Sequence, residues 1–359
     1  MTSGGLDRRR LLAAAAALPV AACERPALSQ ASAPPPALRR IAPFPVGTCL
    51  QTPQIQDAAA VALLTRQFSQ VTPEWEMKME RIVRDDGSFD FSAADAIAGF
   101  ARDNGLRLYG TTLIWYAQRP PAFERLDTAR ASFGQAYRNY ILAVAGRYRG
   151  QAVGWDVVNE PVSEDGTGLR DSLWSERLGQ DEHMLRAFDH AAEADPDAVR
   201  FINDYNLESN PAKRATFMRL IERLLARGAK SGGIGCQSHI DIDLPAGASA
   251  TAIRELAGFG LPIHLSELDI SLGRRPLDLR SRAERLRIQA ERAAEVAEAF
   301  CALPARQRFA FTVWGMRDAD SWLRHPPNAG DGRDAPLLFD DSGQPKPAFH
   351  AVATAFRAR

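Results

Sequence analysis

Cysteine is scarce in this chain: Cys23, Cys49, Cys236 and Cys301 are the only four in 359 residues. Four scattered thiols make no disulfide scaffold, and no C-x-x-C pair offers a zinc site. Lysine is equally rare. Lys78, Lys213, Lys230 and Lys346 are outnumbered by arginine, a coding bias more than a phosphate-binding surface. Net charge is missing altogether, because 44 basic residues meet 44 acidic ones. A dedicated nucleic-acid binder needs a basic excess or patch, so no nucleic-acid partner is expected. Val46-Gly47-Thr48 runs on to Pro53 without a G-x-G-x-x-G turn, which argues against a dinucleotide fold. There is no paired-histidine metal motif and no serine nucleophile elbow. No metal and no cofactor are expected. Apart from one N-terminal run, no stretch is long and apolar enough to cross a membrane.

That N-terminal run reads as an address. Arg8, Arg9 and Arg10 precede Leu11-Leu12 and an alanine-rich stretch too short for a stable membrane span. The Arg8-Arg9-x-Leu11-Leu12 arrangement resembles a twin-arginine export signal. Val20-Ala21-Ala22-Cys23 resembles a lipoprotein cleavage box, with Cys23 as the lipidated residue and a possible membrane anchor. Residues 23–40 are rich in Pro, Ala and Ser and are expected to form an extended tether. The expected division is therefore 1–22 export signal, 23–40 tether and 41–359 a single catalytic domain. Localisation is expected to be exported, periplasmic or membrane-anchored, and a monomer is expected.

From Ile41 onward, short apolar runs alternate with longer amphipathic stretches. The expected strands are 45–49, 70–72, 107–114, 154–159, 200–204, 235–238, 262–266 and 309–314. The expected helices are 57–67, 92–104, 128–148, 181–194, 211–227, 248–259, 281–301 and 347–356. Ser92 is the expected N-cap of the second helix, with Asp95 three residues on. Gly105 and Gly228 are expected helix stops. Eight strand–helix units over about 320 residues have the rhythm of an α/β (β/α)8 TIM barrel.

Active-site groups of such a barrel come from the carboxyl ends of its strands. Those positions hold Glu74, Trp75 and Lys78, then Trp115, Tyr116 and Gln118, then Asn159 and Glu160. Further on come Asp204, Tyr205 and Asn206, then Gln237 and His239, then Glu267 and Asp269, and last Trp314 and Trp322. Carboxylates, amides and aromatics dominate. Glycosidic cleavage needs one carboxyl as proton donor and a second as nucleophile or base. Aromatic faces pack on sugar rings while amides bind hydroxyls. Glu160 and Glu267 sit inside apolar strand runs, where an idle charge is costly.

Trp155-Asp156-Val157-Val158-Asn159-Glu160-Pro161 resembles the acid/base strand of glycoside hydrolase family 10, the β-1,4-xylanases. His264-Leu265-Ser266-Glu267-Leu268-Asp269 resembles that family's nucleophile strand. Val71 to Lys78, Phe201 to Leu207, Gly235 to His239, and Thr312 to Gly315 with Asp320-Ser321-Trp322 resemble four further strand-end signatures. The resemblance covers about Ile41 to Arg359. It implies a retaining endo-1,4-β-xylanase acting on xylan or xylo-oligosaccharides. It implies Glu160 as general acid/base, Glu267 as nucleophile, and Asn159 on the sugar 2-hydroxyl. It also implies that His239 bonds the nucleophile and that Asp269 orients His239. Glu74, Trp75, Lys78, Thr111, Trp115, Gln118, Tyr205, Gln237, Trp314 and Trp322 fall at its substrate-binding positions.

The chain departs from the family in the glycone subsites. Trp75 stands where the family usually has Asn, which serves subsite −2. Thr111 stands where it usually has His, which serves subsite −1, and Tyr116 replaces a second His. Two lost donors would cost about 1–3 kcal/mol each where a sugar hydroxyl is left unpaired. Three functions are therefore weighed: a xylanase, the same chemistry on substituted xylo-oligosaccharides or another β-glycan, and a sugar-binding lipoprotein without catalysis. The retained carboxylates disfavour the third.

Overall fold

The computed structural model of the protein describes residues 35–126, 130–273 and 278–358. The expected export signal, Cys23 and most of the expected tether lie outside them. The folded unit begins at Pro36. Among the described residues, no helix is long and apolar enough to cross a membrane.

Nine strands form one parallel system: β1 Val46–Leu50, β2 Gln70–Pro73, β3 Arg107–Trp115, β4 Ala152–Asn159, β5 Val199–Asp204, β6 Gly233–Cys236, β7 His239–Asp241, β8 Ile263–Ser271 and β9 Arg308–Val313. Neighbours pair in sequence order from β1 to β6. Then β6 pairs β8, β8 pairs β9, and β9 returns to β1, which closes an eight-stranded barrel. A parallel strand in such a barrel is covered on both faces, so continuous apolar runs are required. Every residue of β1, β2 and β8 is buried.

The helices are α1 Leu38–Ile41, α2 Ala58–Gln67, α3 Met79–Ile82, α4 Ser92–Asp103, α5 Pro121–Glu124, α6 Arg130–Arg147, α7 Leu173–Leu178, α8 Gln180–Ala194, α9 Pro211–Ala226, α10 Ala248–Ala257, α11 Arg282–Cys301 and α12 Pro347–Arg357. Eight of them match the expected helices to within about two residues. The expected start of α6 at Thr128 lies outside the described residues. Gly105 and Gly228 have φ of 62° and 83°, the left-handed stops the sequence announced.

The barrel floor is aromatic. Tyr109 packs edge-on against His264 at 4.3 Å, and Phe201 lies 4.7 Å from Phe309. Burial pushes His264 down to about 3, so it is neutral, and its Nε2 meets Thr312 Oγ1 at 2.8 Å. Above the floor, β6 carries glycine where β5 sends a side chain inward. A Cβ on Gly235 would stand 2.3 Å from Asn203 Oδ1, so only glycine leaves room for that amide.

Three expectations need correction. The tether does not reach Arg40: Leu38 lies in α1, is fully buried, and donates its backbone N–H to Gln67 Oε1 at 3.0 Å. One leucine between a Pro-Pro-Pro-Ala run and two arginines carries no periodicity, so composition hid it. Ser92 is not the cap of α4. Asp90 Oδ1 accepts the Ser92 N–H at 3.0 Å, while Asp95 faces Arg147 and Tyr148. The sixth strand ends at Cys236, because Ser238 adopts φ 63° and breaks the ladder before β7. Ser238 is held there by Glu208, whose Oε1 accepts its hydroxyl at 2.6 Å.

Candidate active site

The carboxyl ends of the strands open into one cleft of about 710 Å³. Its walls include Glu74, Trp75, Lys78, Thr111, Trp115, Asn159, Glu160, Tyr205, Gln237, His239, Glu267, Trp314 and Trp322. The expected site residues therefore converge, with two placed differently. Asp269 lies behind His239 rather than in the wall. Gln118 lies apart: its Oε1 accepts the Glu80 N–H at 2.8 Å and its Nε2 donates to Glu80 Oε2 at 3.3 Å. Both ends of that amide hold α3, so the geometry does not carry it as a sugar ligand.

Glu160 follows β4 directly. Its φ is 55°, a left-handed backbone that a glutamate adopts at a cost. Its N–H donates to Asn203 O at 2.7 Å, which fixes the bend. The carboxylate is gripped from two sides, by the end of β3 and by the link between β6 and β7. Trp115 Nε1 donates to Oε2 at 2.7 Å and Gln237 Nε2 to Oε1 at 3.0 Å. Burial raises the Glu160 carboxyl above its ordinary range, opposed by those two hydrogen bonds and supported by the charge of Glu267. A carboxyl whose proton affinity is raised by burial suits the part of proton donor.

Glu267 lies within β8. Its Oε1 accepts Asn203 Nδ2 at 3.0 Å, and its Oε2 stands 3.4 Å from His239 Nε2. His239 Nδ1 donates to Asp269 Oδ2 at 2.9 Å, and Trp322 Nε1 donates to the same oxygen at 2.7 Å. The break at Ser238 makes this possible, since β7 then pairs His239 with Asp269. Burial opposes a charge on His239, but the carboxylates of Asp269 and Glu267 outweigh it and push the ring up to about 10. The imidazolium keeps Glu267 beside a cation.

Lys78 is clamped between two indoles, 4.1 Å from the Trp75 ring centroid and 4.8 Å from that of Trp115. Trp75 itself is 38% exposed. Glu74 is buried and accepts Gln51 Nε2 at 3.1 Å. Thr111 is buried, and its hydroxyl bonds Asp156 beneath the cleft. Tyr116 is half-buried under the Arg170 guanidinium, 4.2 Å from its ring centroid. Among the described residues, no group of His, Cys, Asp and Glu could hold a metal ion.

Sequence reasoning missed Asn203. It quoted the residue within a motif and gave it no role. Asn203 donates to both Asn159 Oδ1 and Glu267 Oε1 at 3.0 Å and accepts Ser266 Oγ at 2.9 Å. A buried amide at an inward position of an apolar strand was the available signal.

The family model for glycosyl hydrolase family 10 matches residues 39–355. The chain belongs to glycosyl hydrolase family 10. This family-10 chain is 35% identical over 320 residues to endo-1,4-beta-xylanase B of Paenibacillus barcinonensis, covering 86% of this chain and 94% of that one. It is 34% identical over 327 residues to endo-1,4-beta-xylanase A of a Caldicellulosiruptor species, covering 86% of this chain. It spans 46% of that relative's length and 27% of its Thermoanaerobacterium saccharolyticum counterpart. Among solved structures, a thermostable mutant of xylanase Xyn10A from Cellvibrio japonicus superposes with a TM-score of 0.82 at 32% identity, over 90% of this chain and all of that one.

The His239 charge gives a pH test. Its folded value of about 10 lies above the ordinary 6.5. The stabilisation is therefore fully present below about pH 6.5 and is lost as pH rises through about 10. The melting temperature should fall between pH 7 and 10.5, and the His239→Gln variant should fall less steeply over that range. Parallel slopes would show that the charge on His239 is not the source.

Proposed function

We propose that this protein is a retaining endo-1,4-β-xylanase. The observation that carries the reading is one cleft with two differently held carboxyls. Glu160 is buried and raised, and Glu267 lies beside an imidazolium. Xylanase relatives at 32–35% identity support xylan as substrate.

In the first step Glu160 gives its proton to the glycosidic oxygen. Glu267 attacks the anomeric carbon from the opposite face, so the C–O bond to the leaving sugar breaks as an ester bond to the enzyme forms. In the second step Glu160, now a base, takes a proton from water, and the water oxygen displaces Glu267. Two inversions give net retention. Asn159 bridges the two halves: its Nδ2 lies 3.3 Å from Glu160 Oε1, and its Oδ1 accepts from Asn203. This supports reading Asn159 as the partner of the 2-hydroxyl of the sugar under attack. Trp314 and Trp322 close the wall beside His239, and Tyr205 lines the other side.

The glycone side is the remodelled part. Trp75 offers a flat face and one donor, and the Thr111 hydroxyl is already bonded to Asp156. Neither reproduces the donors of an Asn and a His. Residues 1–40 support export by the twin-arginine route through Arg8 and Arg9, with lipidation at Cys23.

Xylan digestion followed by NMR should show products with the β-configuration at first release. Glu160→Gln and Glu267→Gln should fold normally and lose activity by about 10²-fold or more. Azide should rescue Glu267→Ala and yield the α-azide. An α-anomer from the native enzyme would contradict retention. On linear xylotriose and xylotetraose, the double change Trp75→Asn with Thr111→His should raise kcat/KM, measured beside both singles because neighbouring sites need not add. A double variant no faster than the native enzyme would show that the departures are compensated elsewhere. For export, Arg8→Lys with Arg9→Lys should leave precursor in the cytoplasm, and Cys23→Ala should release a soluble periplasmic form. Processing that ignores the arginine change would reject the route.

A further inference from the structure

Behind the end of β4 lies a lysine that the two-step chemistry does not use. Lys213, on α9, is fully buried. Its ammonium stands 3.0 Å from Asp204 Oδ1, 3.5 Å from the Tyr205 ring centroid and 4.0 Å from Glu164 Oε2. Asp204 ends β5 and is also fully buried. Its Oδ2 accepts the Val162 N–H at 3.0 Å, and its Oδ1 accepts the Tyr205 N–H at 2.9 Å. Val162 is two residues beyond Glu160, and Tyr205 lines the cleft.

The surroundings lock this arrangement. Asn210 caps α9 by accepting the Lys213 N–H at 3.0 Å. The loop after Glu160 folds directly onto the lysine: a Cβ on Gly166 would stand 2.4 Å from Lys213 N, and Thr216 Oγ1 donates to Gly166 O at 2.6 Å. Arg170 donates to Tyr205 Oη at 2.6 Å from the other side. Burial raises Asp204 above the usual carboxylate range although Lys213 opposes it. Burying two ions costs several kcal/mol each before they attract one another, and a well-packed apolar pair is often as stable. Stability alone is a weak reason for this pair. Its position, with one hand on the backbone leaving Glu160 and the other on the aromatic wall, is a better one.

We propose that the buried Lys213–Asp204 pair is a positioning device for proton donation: it fixes the segment that carries Glu160 and the Tyr205 wall against which the leaving group departs. The proposal rests on Glu160 being the general acid. Lys213 touches no substrate and acts through its neighbours.

Aryl leaving groups of unequal acidity separate positioning from plain destabilisation. Dinitrophenyl xylobioside leaves without a proton, whereas phenyl xylobioside needs one. The Lys213→Met variant should lose about tenfold or more in kcat/KM on the phenyl substrate and stay within about twofold on the dinitrophenyl one. The single change strands a buried carboxylate, so Lys213→Met with Asp204→Asn is measured in parallel as the neutral pair. It should show the same split with its melting temperature recovered. Lys213→Arg keeps the cation and should regain most of the phenyl rate. Equal losses on the two substrates, or no loss on the phenyl substrate in a folded variant, would overturn the proposal. Failure of the native enzyme to cleave either substrate would instead overturn the hydrolase reading.

Discussion

Asn203 ties the strands that carry the two cleft carboxylates together. Its Nδ2 donates to Asn159 on β4 and to Glu267 on β8, while its Oδ1 accepts Ser266, and its backbone oxygen accepts the N–H of Glu160. Three strands meet in one amide. Barrel closure alone would bring their ends to the same mouth, but with tolerances set by loop geometry. A carboxylate pair that must work on one bond needs sub-ångström placement, because misplacement by 1 Å can cost about 10²-fold in rate. The amide supplies that placement from a side chain with no exposed surface. Gly235 on the next strand is the corollary, since any larger residue would occupy the space of Asn203 Oδ1.

Charge is arranged around that tie. Glu160, Glu267, Asp156 and Asp204 are all buried at the barrel mouth, an expensive concentration of like charge. Cations are distributed against it rather than pooled. His239 stands beside Glu267, Lys213 beside Asp204, and Lys78 between two indoles on the side of Trp115, which itself donates to Glu160. The two cleft carboxyls therefore differ in surroundings. Glu160 has neutral donors, and Glu267 has a neutral amide and an imidazolium. Burial raises Glu160, while Glu267 keeps a positive ring 3.4 Å away, so two groups of one chemical type meet different electrostatic surroundings.

The sequence made the strands and long helices legible because a closed parallel barrel demands apolar runs at regular intervals. The cleft was legible because strand ends are where such a barrel keeps its chemistry. The errors fall where one residue acts without a pattern. Leu38 is a lone leucine, and its burial depends on Gln67 twenty-nine positions away. The break at Ser238 depends on Glu208, on another element. Gln118 has the right type and the right strand end, yet Glu80 takes its amide. At the start of α4 the Ser92 N–H goes to Asp90 in an Asx turn, and the serine side chain caps nothing. The first three are pairings across the fold, invisible to spacing.

The departure at Thr111 also has a structural counterpart that explains how the barrel tolerates it. Asp156 lies beneath the cleft, and burial together with the charge of Glu267 raises it to about 7. An acceptor there needs donors, or it would carry an unsatisfied charge in the core. Tyr109 donates its phenol at 2.6 Å from below, and the Thr111 hydroxyl bonds it from above. The same Tyr109 ring packs on His264 as part of the barrel floor. Thr111 is therefore one end of a polar link running from the aromatic floor to the cleft. Thr111 thus faces both ways, lining the cleft while helping to satisfy the buried Asp156 beneath it, so the barrel keeps a donor for that carboxyl.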